Sequence, residues 1–404
     1  MAEVLQLQKL SGSITGRFEL PLSKSMVNRA LLLAALYPEI TLSGMSTSKD
    51  SQYLKEVLDG YLGERAHVGD GGTTLRFASA YWACQPGATQ ELGGTTRLNK
   101  RPIAPLVDAL NALGGDVRYA LTNKEAPLVI QGKELTGGYY KFGHVESSQF
   151  ITALMLISPK MTQGLHLEWD SVPSQSYLVM TAAILREAGF NVLLTPEEFR
   201  ITSGQQPKKV ELFMERDWSA AAFWCETVAL ANKAEIELLG FQKESLQGDS
   251  RVLDYFEPLG VKHFFRGGSL FLQKAHVLPL GKFTANLISE PDLAQPLITT
   301  LVMQKIPFEI NGLQTLVVKE SNRIEALSEV AKRFGVELKT TMDSISCMVY
   351  PDEYILEDNC FTTYKDHRIA MSLAPISLLF PLRIERPEVV AKSYPEFWQH
   401  FAQL

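Results

Sequence analysis

The chain has no excess of basic charge: over 404 residues, 39 Lys and Arg face 45 Asp and Glu, so 39 − 45 = −6 at neutral pH. A generally cationic nucleic-acid binder is excluded. Long hydrophobic runs are missing as well, since the longest apolar stretches, residues 30–37 and 373–382, fall well short of the ~18 residues of a membrane span. The opening Met1-Ala-Glu-Val-Leu-Gln-Leu-Gln has an early acid and no continuous apolar core, so no secretory signal is expected. Cysteine is sparse. Cys84, Cys225, Cys347 and Cys360 stand far apart without a CxxC pair, which disfavours a structural zinc site and fits a reducing cytoplasm. The seven histidines show neither HExxH nor His-x-His spacing, so no metal cluster is predicted. What is present, 46% hydrophobic and 21% charged residues, is an ordinary globular composition, and at ~100–200 residues per domain the length predicts two domains.

Four amphipathic helical patterns end in a glycine and run straight into a strand-like segment. Ile103, Leu106, Val107, Leu110 and Leu113 keep helical spacing before Gly114-Gly115, after which Val117-Arg-Tyr-Ala alternates. The same order returns at Gly189, Gly260 and Gly335, at steps of 75, 71 and 75 residues. Each glycine is explained singly as a left-handed helix stop, and such junctions are common in α/β proteins. The regular spacing points further, to copies of one α/β unit packed into two lobes. No long Ser/Gly/Pro linker separates them, and one crossover is expected near Glu215-Arg216-Asp217.

The long helices also begin at polar clusters. Ser23-Lys24-Ser25 and Arg29, Ser147-Ser148-Gln149, Asp292, Lys319-Glu320-Ser321-Asn322-Arg323 and Asp366-His367-Arg368 each precede or open an apolar helical run. Ser and Asp there are explained by capping alone. Lys and Arg are not, because a cation opposes the positive end of the helix dipole unless an anion compensates it. Anionic ligands are therefore expected. Gly69-Asp70-Gly71-Gly72-Thr73 adds a glycine-rich turn at a helix start, without the spacing of a nucleotide P-loop or a dinucleotide fold.

Six motifs occur in one order: Ser23-Lys24-Ser25-x-x-x-Arg29-Ala-Leu-Leu-Leu-Ala-Ala-Leu, Gly72-Thr-x-x-Arg76, Arg101-Pro102, Ser147-Ser148-Gln149, Lys319-Glu320-x-x-Arg323 and Asp366-His367-Arg368-x-Ala-Met. Together they closely resemble the EPSP synthase family, the 3-phosphoshikimate 1-carboxyvinyltransferases, over residues 23–392. The resemblance implies an α/β, two-lobed enolpyruvyl transferase fold, each lobe holding three copies of a βαβαββ unit as an inside-out α/β barrel. It places a first lobe at 20–215, mainly on the shikimate 3-phosphate side. The second, discontinuous lobe is 1–19 with 216–404, mainly on the phosphoenolpyruvate side, and the active site is expected in the interlobe cleft. The implied reaction moves the enolpyruvyl group of phosphoenolpyruvate to the 5-hydroxyl of shikimate 3-phosphate and releases phosphate, without metal or organic cofactor. A cytoplasmic monomer with no nucleic-acid or membrane partner is expected.

Carried onto this sequence, the resemblance assigns Lys24, Ser25, Arg29, Ser147, Ser148, Gln149, Ser174, Tyr177, Asp292, Thr315 and Lys319 to shikimate 3-phosphate. It assigns Lys24, Gly72, Arg101, Gln149, Arg323, Arg368 and Lys392 to phosphoenolpyruvate. Arginine suits that work because its planar fork binds carboxylate or phosphate in two places. The reaction needs one proton delivered to the methylene carbon and another taken from the hydroxyl, hence two differently tuned groups. The resemblance makes Asp292 the base and Glu320 the group at the methylene, with Lys24 as a further acid/base. Three positions depart from the family pattern: Asp70-Gly71 in the glycine loop, Phe77 after Arg76, and Thr315 where an Asn is expected. The rival reading is the sister enolpyruvyl transferase that acts on UDP-N-acetylglucosamine and carries a reactive cysteine; Cys84 is here expected to be a buried thiol. A non-catalytic anion-binding relative is the other alternative, disfavoured because mere binding needs no acid/base pair.

Overall fold

In a computed structural model that describes residues 3–10, 12–60, 63, 65–277 and 280–404, Gly114, Gly189, Gly260 and Gly335 all take positive φ, between 74° and 100°. Residues 1 and 2 of the opening segment lie outside the described residues. Each of the four glycines ends a helix and admits a strand. Helix Ala104–Ala112 leads to strand Asp116–Tyr119, Gln175–Glu187 to Val192–Leu194, Val252–Phe256 to Val261–Arg266, and Arg323–Lys332 to Lys339–Thr340. At three of these stops the next residue's N–H returns to a carbonyl of the last turn, as in Gly115 to Leu110, Phe190 to Leu185 and Val336 to Ala331. The otherwise orphaned carbonyls are thereby satisfied.

The repeat reading is visible in the pairing. Strand Arg65–His67 runs parallel to Thr89–Gly93, which pairs antiparallel with Leu128–Gln131, and that strand with Asp116–Tyr119. The same one-two-four-three order recurs in three more sheets, built outward from the parallel pairs Gly138–His144 with Leu165–Ser171, Ser13–Phe18 with Lys233–Leu239, and Phe283–Asn286 with Phe308–Asn311. These are complete βαβαββ units. Two further sheets are shorter among the described residues: Val210–Leu212 with Ile40–Leu42, and Cys360–Thr362 with Leu382–Glu385 and Val4–Leu7.

The chain divides into two compact units, Leu22–Met214 in one, Met1–Pro21 with Glu215–Leu404 in the other, set against the expected 20–215. Within Leu22–Met214, helices Lys24–Leu36, Gly72–Ala83 and Ser148–Ile157 each pack on the other two. Within the other unit, Trp218–Leu230, Ala294–Met303 and His367–Leu373 do the same. Their composition requires it. Trp218–Leu230 buries every residue but Ser219, and Ala294–Met303 buries all ten; a helix apolar on every side belongs inside a core. The strands instead alternate, as Lys233–Leu239 does, and so cover the helices with one face while showing the other to solvent. Helices inside and sheets outside make each unit an inside-out α/β barrel. Phe18 stacks on Trp224 at 4.2 Å within the core of the discontinuous unit. Among the described residues no helix is long and apolar enough to cross a membrane.

Close approach of backbone to backbone fixes one turn. A Cβ at Gly132 would lie 1.9 Å from the Gln85 carbonyl oxygen and 2.8 Å from that of Trp82, neither of which is a movable side-chain end. Gly132→Ala is expected to cost roughly 3 kcal/mol and to lower the thermal midpoint by about 6–12 °C. Gly267→Ala, where nothing lies within 4 Å of the new methyl, should cost only about 1–2 kcal/mol of left-handed backbone strain. Equal midpoint shifts in the two variants would contradict the close-approach argument.

Candidate active site

Many of the candidate residues stand at or just before helix starts in their own unit. In Glu215–Leu404 the organising group is Arg323, the first residue of helix Arg323–Lys332 and 1% exposed. Its Nε donates to Asp366 Oδ2 at 2.8 Å and its Nη2 to Asp366 Oδ1 at 3.1 Å. Nη2 also donates to Glu320 Oε2 at 3.0 Å, and Nη1 to Asp292 Oδ1 at 3.1 Å. Four of its five N–H groups are thus engaged by carboxylates. Asp366 does double service, because its Oδ1 also caps helix His367–Leu373 through the Arg368 N–H.

Around this centre stand three more cations. Arg368 Nη2 donates to Asp292 Oδ2 at 2.9 Å, Lys319 Nζ lies 3.7 Å from Asp292 Oδ1, and Lys392 Nζ lies 2.8 Å from Glu320 Oε1. Burial alone would raise the Asp292 carboxyl, but Arg368, Lys319 and Arg323 outweigh it and hold the group well below the usual carboxylate range. Asp366 is lowered in the same way, with Arg323 overcoming burial. Burial likewise opposes the charge of Arg323, and Asp366, Glu320 and Asp292 more than restore it. Asp249 moves oppositely: burial, then the nearby Asp292, push its carboxyl up to about 7, against the pull of Arg368 and of the Ser219 hydroxyl that donates to it. Thr315 is buried in the turn Gln314–Val318, and its hydroxyl finds no partner among the described residues.

In Leu22–Met214 the glycine turn opens helix Gly72–Ala83, and here the reason for glycine is geometric. A Cβ at Gly72 would meet Arg101 Nη1 at 2.7 Å and Arg76 Nη1 at 2.8 Å. Two guanidinium groups converge on a helix N-terminus, an arrangement suited to an anion. Arg76 also orients Gln149: its Nη1 donates to Gln149 Oε1 at 2.8 Å, while Gln149 Nε2 donates to Thr73 Oγ1 at 3.0 Å. Ser147 caps helix Ser148–Ile157 by accepting the Gln149 N–H. Lys24 opens helix Lys24–Leu36 and pairs with Asp50 Oδ2 at 3.1 Å. Arg29, one turn on, donates to the Ser25 carbonyl at 2.7 Å and to Thr181 Oγ1 at 2.8 Å, over the rings of Tyr177 and Phe77. Burial lowers its guanidinium to about 10. Ser174 is held at φ 59° ahead of helix Gln175–Glu187, the kind of backbone strain that gathers at functional sites.

Lys24, Ser25, Arg29, Gly72, Arg101, Ser147, Ser148, Gln149, Ser174 and Tyr177 thus belong to Leu22–Met214, and Asp292, Thr315, Lys319, Glu320, Arg323, Arg368 and Lys392 to the other unit. Each unit holds members of both substrate sets. Three points differ from the sequence reading or go beyond it. Glu320 does not share a helix with Arg323, because the helix starts at Arg323 behind the Asn322 cap; the pair forms from the segment before it. Asp366 and Arg76 were visible only as motif letters, and nothing in the sequence marked Asp249. His166 Nε2 stands 3.2 Å from Glu168 Oε1 and 3.1 Å from Glu198 Oε2, a grouping that one-dimensional spacing hides because strand pairing sets Glu198 opposite Glu168. Arg200 Nη2 donates to the same Glu198 oxygen at 2.7 Å.

Two of the three departures from the motif pattern are accommodated. The Thr95 hydroxyl donates to Asp70, and Phe77 is fully buried beneath Arg29. Residues 62–401 match the family described as EPSP synthase (3-phosphoshikimate 1-carboxyvinyltransferase). The chain is 35% identical over 391 residues to a 3-phosphoshikimate 1-carboxyvinyltransferase of Bacteroides fragilis (strain YCH46), covering 95% of this chain and 94% of that one. It is 31% identical to that of Pseudoalteromonas translucida (strain TAC 125), over 100% and 99% of the two chains. The chain belongs to the EPSP synthase family. An EPSP synthase structure from Acinetobacter baumannii superposes with a TM-score of 0.76 over 99% of this chain and 98% of that one, at 18% identity, and so shares the fold. The sister family's reactive cysteine has no counterpart in Cys84, which is buried with its thiol pushed up to about 12 by that burial and is thus inert at neutral pH.

The raised Asp249 carboxyl gives a pH signature. Its folded value near 7 exceeds the ~3.9 of an unfolded Asp. Between pH 4 and 7 the folded chain therefore keeps a proton that the unfolded chain has released, and stability falls as pH rises through that window. Asp249→Asn is expected to stabilise relative to the parent more at pH 8 than at pH 4 in thermal unfolding. The same shift at both pH values would contradict the assignment.

Proposed function

We propose that this EPSP synthase family member transfers the enolpyruvyl group of phosphoenolpyruvate to the 5-hydroxyl of shikimate 3-phosphate. The products are 5-enolpyruvylshikimate 3-phosphate and phosphate, within the shikimate pathway to chorismate and aromatic amino acids. The observation that carries the reading is family membership over nearly the whole chain, joined to retention of Lys24, Asp292 and Glu320 among the paired cations described above. We further propose that the protein acts as a cytoplasmic monomer.

In the mechanism we infer, the methylene carbon gains a proton, a C–O bond forms from the 5-hydroxyl to the neighbouring carbon, and the hydroxyl proton leaves. The adduct then loses phosphate with cleavage of its C–O bond, and a proton leaves the methyl group to restore the double bond. Asp292 is our candidate for the hydroxyl proton and Glu320 for the methylene proton, each fixed on a different Nη of Arg323. A carboxylate held as far down as Asp292 is a weak base. Substrate anions drawn to Arg368 and Lys319 would offset the field of those cations and raise its proton affinity. Lys24, Gly72, Arg101, Gln149, Arg323, Arg368 and Lys392 are proposed for phosphoenolpyruvate. Lys24, Ser25, Arg29, Ser147, Ser148, Gln149, Ser174, Tyr177, Asp292, Thr315 and Lys319 are proposed for shikimate 3-phosphate. For Arg323, whose N–H groups are mostly engaged, positioning the two carboxylates is the larger part of that role.

Phosphate release is expected from phosphoenolpyruvate with shikimate 3-phosphate and not with UDP-N-acetylglucosamine. Lys24→Ala and Glu320→Ala are each expected to lower the rate by about 10²- to 10⁴-fold. Release only with the nucleotide sugar would overturn the substrate assignment, and silence with both would favour an anion-binding relative.

A further inference from the structure

Lys24 poses a physical problem at its own position. It is the first residue of helix Lys24–Leu36, where the helix dipole disfavours a cation, and its four-carbon stem is flexible. Asp50 addresses both difficulties. Its carboxylate accepts from the Lys24 ammonium at 3.1 Å, with only 16% of the Lys24 side chain and 7% of the Asp50 side chain exposed. Asp50 in turn sits in the first turn of helix Lys49–Leu58, where an acid is favoured by that helix's dipole.

That helix start is fastened on three sides. Ser48 caps it by accepting the Ser51 N–H, the Ser51 hydroxyl donates to Asn28 Oδ1 at 2.6 Å on the Lys24 helix, and the Thr74 hydroxyl donates to the Asp50 carbonyl at 3.0 Å. Thr74 belongs to helix Gly72–Ala83, the one that opens between Arg76 and Arg101. Asp50 therefore links the start of the Lys24 helix to the glycine helix. Its sequence setting, Thr47-Ser48-Lys49-Asp50-Ser51, reads as an ordinary capped helix start and gives no hint of this role.

We propose that Asp50 is a positioning residue for the reaction, acting through Lys24: its carboxylate fixes the ammonium at the helix start, aligned with the glycine turn. This rests on the function proposed above. Asp50→Asn is expected to lower kcat about 100-fold, the scale of a displaced reacting group, with a smaller change in KM. Asp50→Glu, which keeps the carboxylate, should recover part of the loss. In a Lys24→Ala background, assayed at high enzyme concentration, neither substitution should change kcat by more than about twofold, because the partner is already gone. Equal losses in both backgrounds, or a midpoint shift in thermal unfolding with kcat intact, would overturn the proposal. Should Asp50→Asn not fold, the Asp50→Glu pair of backgrounds decides by the same comparison. Absence of turnover in the parent chain would instead overturn the reaction itself, so the two failures are distinguishable.

Discussion

One buried guanidinium organises the candidate site of the larger unit. Arg323 is almost wholly shielded from water, and a buried charge of that kind persists only where partners surround it. Asp292, Glu320 and Asp366 come from three separate segments to meet it. Through them the starts of helices Ala294–Met303, Arg323–Lys332 and His367–Leu373 are held in one arrangement, and removing a partner from such a cluster typically costs about 3–5 kcal/mol. Position and charge are set together. The carboxylates on the two Nη atoms are the proposed acid/base pair, and the field that keeps Asp292 ionised comes from Arg368 first, then Lys319 and Arg323.

The chain is acidic overall, yet its candidate site is cationic. In the larger unit Arg323, Arg368, Lys319 and Lys392 against Asp292, Glu320 and Asp366 give 4 − 3 = +1, and in the other unit, taken by itself, Arg76 and Arg101 converge on the Gly72 turn. Charge is focused where helix starts converge, and net charge says nothing about it. The same economy explains the glycine. At Gly72 a side chain would displace the guanidinium groups that an anion needs, whereas at Gly335 the requirement is only the backbone turn that ends a helix.

Much of this was legible in the residues. The four helix-ending glycines at nearly equal steps marked the four complete βαβαββ units, since a left-handed stop is a local requirement written into one residue type. The polar clusters before apolar runs marked the helix starts that carry the candidate site. What stayed hidden depends on contacts between distant segments. Asp249 reads as one acid in a turn, and its raised carboxyl follows from burial near Asp292. Asp50 looks like a first-turn acid until Lys24, 26 residues earlier, is seen against it. Glu320 and Arg323 stand three residues apart in the sequence, yet the Asn322 cap starts the helix after Glu320, so only the folded chain shows how the pair meets.

The central claim is that the cation cluster keeps Asp292 ionised in the free protein. The most direct test is a pH titration by carbon-13 NMR of the aspartate side-chain carboxyls, with the Asp292 resonance assigned by its loss in Asp292→Asn. At pH 4, where an ordinary Asp is about half protonated, Asp292 is predicted to be fully ionised. A signal that titrates at or above the ordinary aspartate range would contradict the account.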